Sequence, residues 1–303
     1  MNKLLRIALI LLISVCVFDP EGLLLGIKNI MFVLVWIIFL TGISAEIANN
    51  KKVYIRTSVI MYLLIFILVP FTSMVYYIFI GNDFVDNGYI YFKPYLFLTL
   101  IIVLYVSKID LIKETVIILT LLSILTIIIF IISIYGDNLI QSIHSISYLP
   151  INIGTRLHSG VNFPLIHFFT SPLIIFPIGY FSFIFMYSKG KKRLSMGLLI
   201  AINMVAMFLG GTRNNIIVSI MTPIIIVYWY NKKKTNLLVI FAILFVAIVG
   251  FWDILVGMLD IKETSNSIKF SYLLDYLNLY SDSKVLLWGQ GLGSSFSTKH
   301  SGY

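Results

Sequence analysis

The chain has 303 residues, 59% of them hydrophobic and only 12% charged, with a mean hydropathy of +0.99; soluble domains run at roughly 25% charged, so an ordinary soluble domain is excluded. The net charge of +9 does not point to nucleic acid, because the cations are spread along the chain instead of gathered with aromatics on one water-facing surface. The single cysteine, Cys16, excludes an intrachain disulfide and a cysteine metal cluster.

Crossing a bilayer takes ~20 apolar residues at helical rise. Suitable stretches lie near residues 4–18, 29–44, 57–80, 90–106, 115–135, 166–187, 196–210, 214–230 and 237–252. They predict an all-α polytopic integral membrane protein with about nine transmembrane helices. Residues 1–252 form the bundle, and 253–303 form a large C-terminal extracytoplasmic segment. The first stretch is followed by Asp19-Pro20-Glu21-Gly22 rather than a small-residue cleavage site, so it is expected to stay as a signal anchor. Pro70, Pro172, Pro177 and Pro223 fall inside apolar stretches and predict kinks there.

Charge sets the orientation. With the N-terminus cytoplasmic, the inner connections hold Lys3 and Arg6, then Lys51, Lys52 and Arg56, then Lys108 and Lys113, then Lys189, Lys191, Lys192 and Arg193, then Lys232, Lys233 and Lys234. These are fourteen of the twenty-two Lys and Arg, and of the thirteen acids only Glu46, Asp110 and Glu114 join them. Every short inner loop is basic, as the positive-inside rule requires. In the outer C-terminal segment Phe270, Leu273, Leu274, Leu277 and Tyr280 recur at helical spacing, with Asp275, Asn278 and Ser281 on other faces. An amphipathic helix lying over the bundle mouth is expected there.

Function is sought where an outer loop is long or carries charge at the membrane edge. Residues 136–165 carry Asp137, His144, Arg156 and His158, and the tight connection Gly210-Gly211-Thr212-Arg213-Asn214-Asn215 carries one arginine. Arg213 lies between two apolar stretches on the side where cations are disfavoured, with no acid near it in sequence. One reading is an arginine that snorkels to headgroups or caps a helix end. The other is an anion site, in which Gly210 and Gly211 allow close backbone approach and Asn214 and Asn215 offer amides. The next helix would present free N–H groups, and the guanidinium is a fork for phosphate oxygens. Arg156 repeats the situation before the sixth stretch, with His158 close to it, and two outer arginines suit a pyrophosphate. His144, His158 and His167 have no metal-ligand spacing.

Gly211-Thr212-Arg213 opening an apolar helix resembles the small-Ser/Thr-Arg signature of the O-antigen ligase and polymerase family, polytopic proteins that move glycans from undecaprenyl diphosphate. Arg156, Gly160 and Pro164 resemble that family's Arg-x-x-Gly segment ending in Pro, although Leu165 stands where asparagine often follows. Gly289-Gln290-Gly291-Leu292-Gly293 with the downstream His300 resembles the family's glycine segment and histidine in its large extracytoplasmic loop, although Ser301 replaces the usual asparagine. The likeness covers roughly residues 150–303 and rests on the order, spacing and membrane side of short motifs. Family members usually continue through further spans, so a truncated member is expected.

The resemblance implies a glycosyltransferase of a bacterial inner or plasma membrane with its active site facing the periplasm or cell exterior. Its reaction would polymerise lipid-linked repeat units into O-antigen, capsule or exopolysaccharide. Arg156 and Arg213 would stabilise the departing diphosphate and His300 would orient or deprotonate the acceptor hydroxyl. Gly211, Thr212, Asn214, His158 and Gly160 would line the substrate, and Gly291 and Gly293 would turn the loop back toward the bundle. No metal or other cofactor and no nucleic acid are implied. The partners would be the undecaprenyl-diphosphate-linked oligosaccharide, membrane lipid and a chain-length regulator. A ligase transferring glycan to lipid A core or protein uses the same donor and stays open. So do a metal-dependent transferase using Asp19, Glu21, Asp83 and Asp86, and, from another class, a flippase or transporter of a lipid-linked or anionic substrate.

Overall fold

A computed structural model of the chain describes residues 2–20, 26–49, 55–79, 89–135, 151–158, 161–210, 213–230 and 264–279. The described chain is predominantly helical. Four helices are long and apolar enough to cross a membrane: Ile27–Ala48, Thr57–Tyr76, Ile112–Ser133 and Gly190–Leu209. Shorter apolar helices cover Phe92–Ser107, Ser171–Tyr187 and Asn215–Tyr230. Such helices belong to a membrane protein. The ninth expected stretch, 237–252, lies outside the described residues.

The chain divides into two units, Met1–Ile38 with Asp110–Leu255, and Phe39–Ile109 with Val256–Tyr303. The first unit is built from α1 (Asn2–Phe18), the start of α2 (Ile27–Ala48) and α7 (Ile112–Tyr135). It continues with the strands β1 (Ile151–His158) and β2 (Val161–Phe168), then α8 (Ile175–Tyr187), α9 (Gly190–Leu209) and α10 (Arg213–Tyr230). Its core gathers Val17 of α1, Ile118, Leu119, Leu122 and Ile129 of α7, Ile166 and Phe168 of β2, Ile178 of α8, and Ala206 and Met207 of α9.

Several polar side chains inside this apolar bundle are satisfied locally, as lipid surroundings demand. Thr120, Thr126 and Ser182 each donate to the carbonyl four residues back, at 2.7–2.9 Å. Fully buried Asn203 joins two helices: Ser123 Oγ of α7 donates to Asn203 Oδ1 at 2.7 Å, and Asn203 Nδ2 donates to the Leu199 carbonyl at 2.7 Å. Small residues let the backbones close in. At Gly179 of α8 an added Cβ would lie 3.6 Å from Thr222 and Ile226 of α10, ordinary contact that leaves no room for more.

The second unit holds the end of α2, α3 (Thr57–Leu63), α4 (Val69–Phe79), α5 (Tyr89–Leu96), α6 (Leu100–Ser107) and α11 (Thr264–Leu279). Between α3 and α4, Leu64–Leu68 form a π-helical turn directly before Pro70. Proline removes one backbone donor and crowds the preceding turn, and the wider turn absorbs both. Phe71 and Phe92 pack α4 on α5 with ring centroids 5.7 Å apart. The helix expected around Phe270 is present as α11, and its stripe Phe270, Leu273, Leu274 and Leu277 is exposed.

The predominantly helical class holds, and two local details differ from the expectation. Residues 151–168 form an antiparallel hairpin pairing Ile151 with Phe168 and His158 with Val161. The sixth apolar stretch therefore does not begin a helix at residue 166, because Ile166 and Phe168 belong to β2 and the helix follows a 3₁₀ turn at Ser171–Ile174. Pro172 sits in that turn, and Pro177 falls in the first turn of α8, where a missing N–H costs nothing. Of these four prolines, Pro70 and Pro223 lie deep inside helical segments as expected.

Candidate functional site

The last turns of α1 and α9 meet the hairpin exit at one end of the first unit. Parallel α1 and α7 are tied at their starts by the Arg6–Glu114 ion pair. At the other end Thr170 Oγ1, just past β2, donates to the Val17 carbonyl at 2.7 Å, pinning the hairpin exit to the last turn of α1. The Ser171 hydroxyl accepts from the Phe168 N–H at 3.1 Å. Ala206 and Met207, in the last turn of α9, pack in the same cluster as Ile166 and Phe168. The strand paired with β1 and the helix that precedes α10 therefore share one apolar cluster.

Arg213 is the first residue of α10 and Asn214 the second. α9 is closed by buried Gly210, whose N–H donates to the Ala206 carbonyl at 3.1 Å. A helix start leaves its first N–H groups without internal acceptors and carries partial positive charge. The first turn of α10 holds no acid to offset it. In that turn Asn215 adds a side-chain donor, Nδ2, that is buried with no hydrogen-bond partner. Leaving such a donor unpaired costs ~1–3 kcal/mol. A cationic residue, a helix start and an orphaned donor within three residues form an arrangement completed by an anion.

The hairpin register places Arg156 and His158. Two apart on β1, they take the same strand face, and Arg156 pairs with Phe163. Ile166 and Phe168, buried in the apolar cluster, take the opposite face. The sequence shows this alternation in Ile151-Asn152-Ile153-Gly154-Thr155-Arg156-Leu157-His158. Read as a loop, the segment gives no face for Arg156; its period of two with the following Ser159-Gly160 is the hairpin signal. His167 of β2 pairs with Asn152 of β1.

Gly160, Gly211, Thr212, Gly291, Gly293 and His300 lie outside the described residues, as do Glu21, Asp83 and Asp86. Asp19, two residues past Val17, is a buried acid at the same end of the unit. Its neighbour Pro20 offers its carbonyl to the Lys28 ammonium. Among the described residues no three His, Cys, Asp or Glu are grouped to hold a metal ion. Comparison with protein-family models, with curated proteins and with solved structures gives no match.

Proposed function

We propose that this chain is a membrane-embedded glycosyltransferase that polymerises lipid-linked oligosaccharide repeats, taking its donor as a glycan on undecaprenyl diphosphate. The observation that carries the reading is the first turn of α10, where Arg213 and the orphaned Nδ2 of Asn215 share an acid-free helix start. That turn suits a diphosphate leaving group. The resemblance of residues 150–303 to the O-antigen ligase and polymerase family supplies the donor class.

In the reaction an acceptor sugar hydroxyl attacks the anomeric carbon. The carbon–oxygen bond to the diphosphate breaks, its electron pair stays on the phosphate oxygen, and the hydroxyl proton passes to a base, the role given to His300. Charge on the departing oxygen is stabilised by Arg213 and by Arg156, the latter reaching from the hairpin face it shares with His158. The donor is activated, so the chemistry is balanced without another reactant. The site faces the periplasm or cell exterior in this reading, with the basic helix starts in the cytoplasm. A ligase would use the same donor machinery with another acceptor.

The test is deletion of the gene in its host, with surface and lipid-linked glycans resolved on a gel after return of wild type, Arg213→Ala or Arg213→Lys. Collapse of the ladder to single repeats, restored by wild type alone, is expected. Both variants should lose at least ~100-fold, the scale of one oxyanion-type donor, because lysine lacks the bidentate fork. Full activity of Arg213→Lys would exclude diphosphate clamping.

A further inference from the structure

The opposite end of the first unit carries a charge pattern that the proposed chemistry does not use. Lys3 and Arg6 at the start of α1, Lys113 at the start of α7, and Lys189, Lys191, Lys192 and Arg193 around the start of α9 are all exposed. These starts are level with one another. Asn203 lies thirteen residues into α9 and bonds Ser123, eleven residues into α7, so the bond stands about 20 and 17 Å from the two starts at 1.5 Å per residue. The Arg6–Glu114 pair levels α1 with α7.

Among the described residues, seven cations thus lie at one end of the unit, and the two acids there are already engaged. Glu114 pairs with Arg6, and Asp110 accepts the Ile112 N–H at 2.9 Å. Around the α9 start the charge is not offset among the described residues of that turn: it holds no acid, and its N-cap residue Lys189 makes no side-chain cap. Arg193 is held with its guanidinium 4.6 Å from the Phe185 ring centre, at the end of the apolar helix α8. That contact fixes a cation at the level where apolar surface stops. Exposed Leu194 and Leu198 continue α9 on the lipid side of the same border.

We infer that this cluster is a binding site for anionic phospholipid headgroups, with Lys189, Lys191, Lys192 and Arg193 as its centre and the phosphodiester of phosphatidylglycerol type as the ligand. Four cations at the border between apolar and charged surface match a headgroup whose acyl chains run along α8 and α9. A free phosphate would gain nothing from the apolar half of the site.

The test titrates phosphatidylglycerol or phosphatidylcholine into the full chain in nonionic detergent and counts retained lipid by native mass spectrometry. Phosphatidylglycerol should be retained in preference. The Lys191→Gln/Lys192→Gln/Arg193→Gln variant should bind it about 100-fold more weakly, taking roughly fivefold for each cation near a surface, while Lys191→Arg/Lys192→Arg keeps the preference. If the triple variant does not fold, wild type in about 1 M salt, where the screening length falls to ~3 Å, should lose the preference instead. Equal retention of the two lipids, an undiminished preference in the triple variant or in salt, or full competition by inorganic phosphate would each overturn the inference.

Discussion

Asn215 separates structural from functional demands more sharply than any other single residue of the first unit. Its Nδ2 is buried and unpaired, so the fold bears a cost that a leucine of similar volume would remove. Asn203 shows the opposite case: equally an amide inside the bundle, it has its oxygen engaged by Ser123 and its nitrogen by Leu199, and nothing is left over for a ligand. The expected outcome for Asn215→Leu is a gain of about 1 kcal/mol in unfolding free energy, read by denaturant titration in micelles, together with a large loss of polymer on the glycan gel. A stabilised variant that still polymerises would remove Asn215 from the site. A destabilised one would show that the amide is satisfied in the folded chain.

At the scale of elements, the hairpin decides whether the arginine of β1 can serve the same site as the arginine of α10. Strand faces alternate strictly, so moving a side chain by one position sends it to the other face. The double variant Thr155→Arg/Arg156→Thr keeps composition and charge while transferring the cation to the face shared with Ile166 and Phe168. It should polymerise no better than Arg156→Thr alone; recovery of the ladder would mean that the face is irrelevant and Arg156 is a general surface cation. Eight of the nine apolar stretches coincide with helical segments, because twenty apolar residues in a row leave the backbone little alternative in lipid. The hairpin escaped because its second strand, Val161–Phe168, runs into the apolar residues of α8, and hydropathy alone does not distinguish a buried strand from a helix. The position of Arg213 at a helix start was legible from the glycine pair before it. The orphaned Asn215 donor was not, since it arises from what packs over the amide rather than from the amide itself.

At the scale of the whole molecule, one polarity runs through the first unit and links both ends. Starts of α1, α7 and α9 are basic, and the last turns of α1 and α9 meet the hairpin exit. If the basic ends lie in the cytoplasm, the proposed diphosphate site opens on the far side, where the proposed reaction needs its lipid-linked repeat. If the chain sat the other way, the same arginines would face the cytosol and the proposed reaction would lack its substrate. Cysteine labelling decides this without any assay of activity. In a Cys16→Ser background, exposed Phe169 beside the hairpin exit and exposed Lys192 at the α9 start are each replaced by cysteine. A membrane-impermeant maleimide should label Phe169→Cys on intact cells and Lys192→Cys only after permeabilisation. The reverse pattern would place the α10 start in the cytosol, and the polymerase reading would fall, leaving the unpaired Asn215 donor to be explained by a cytosolic ligand.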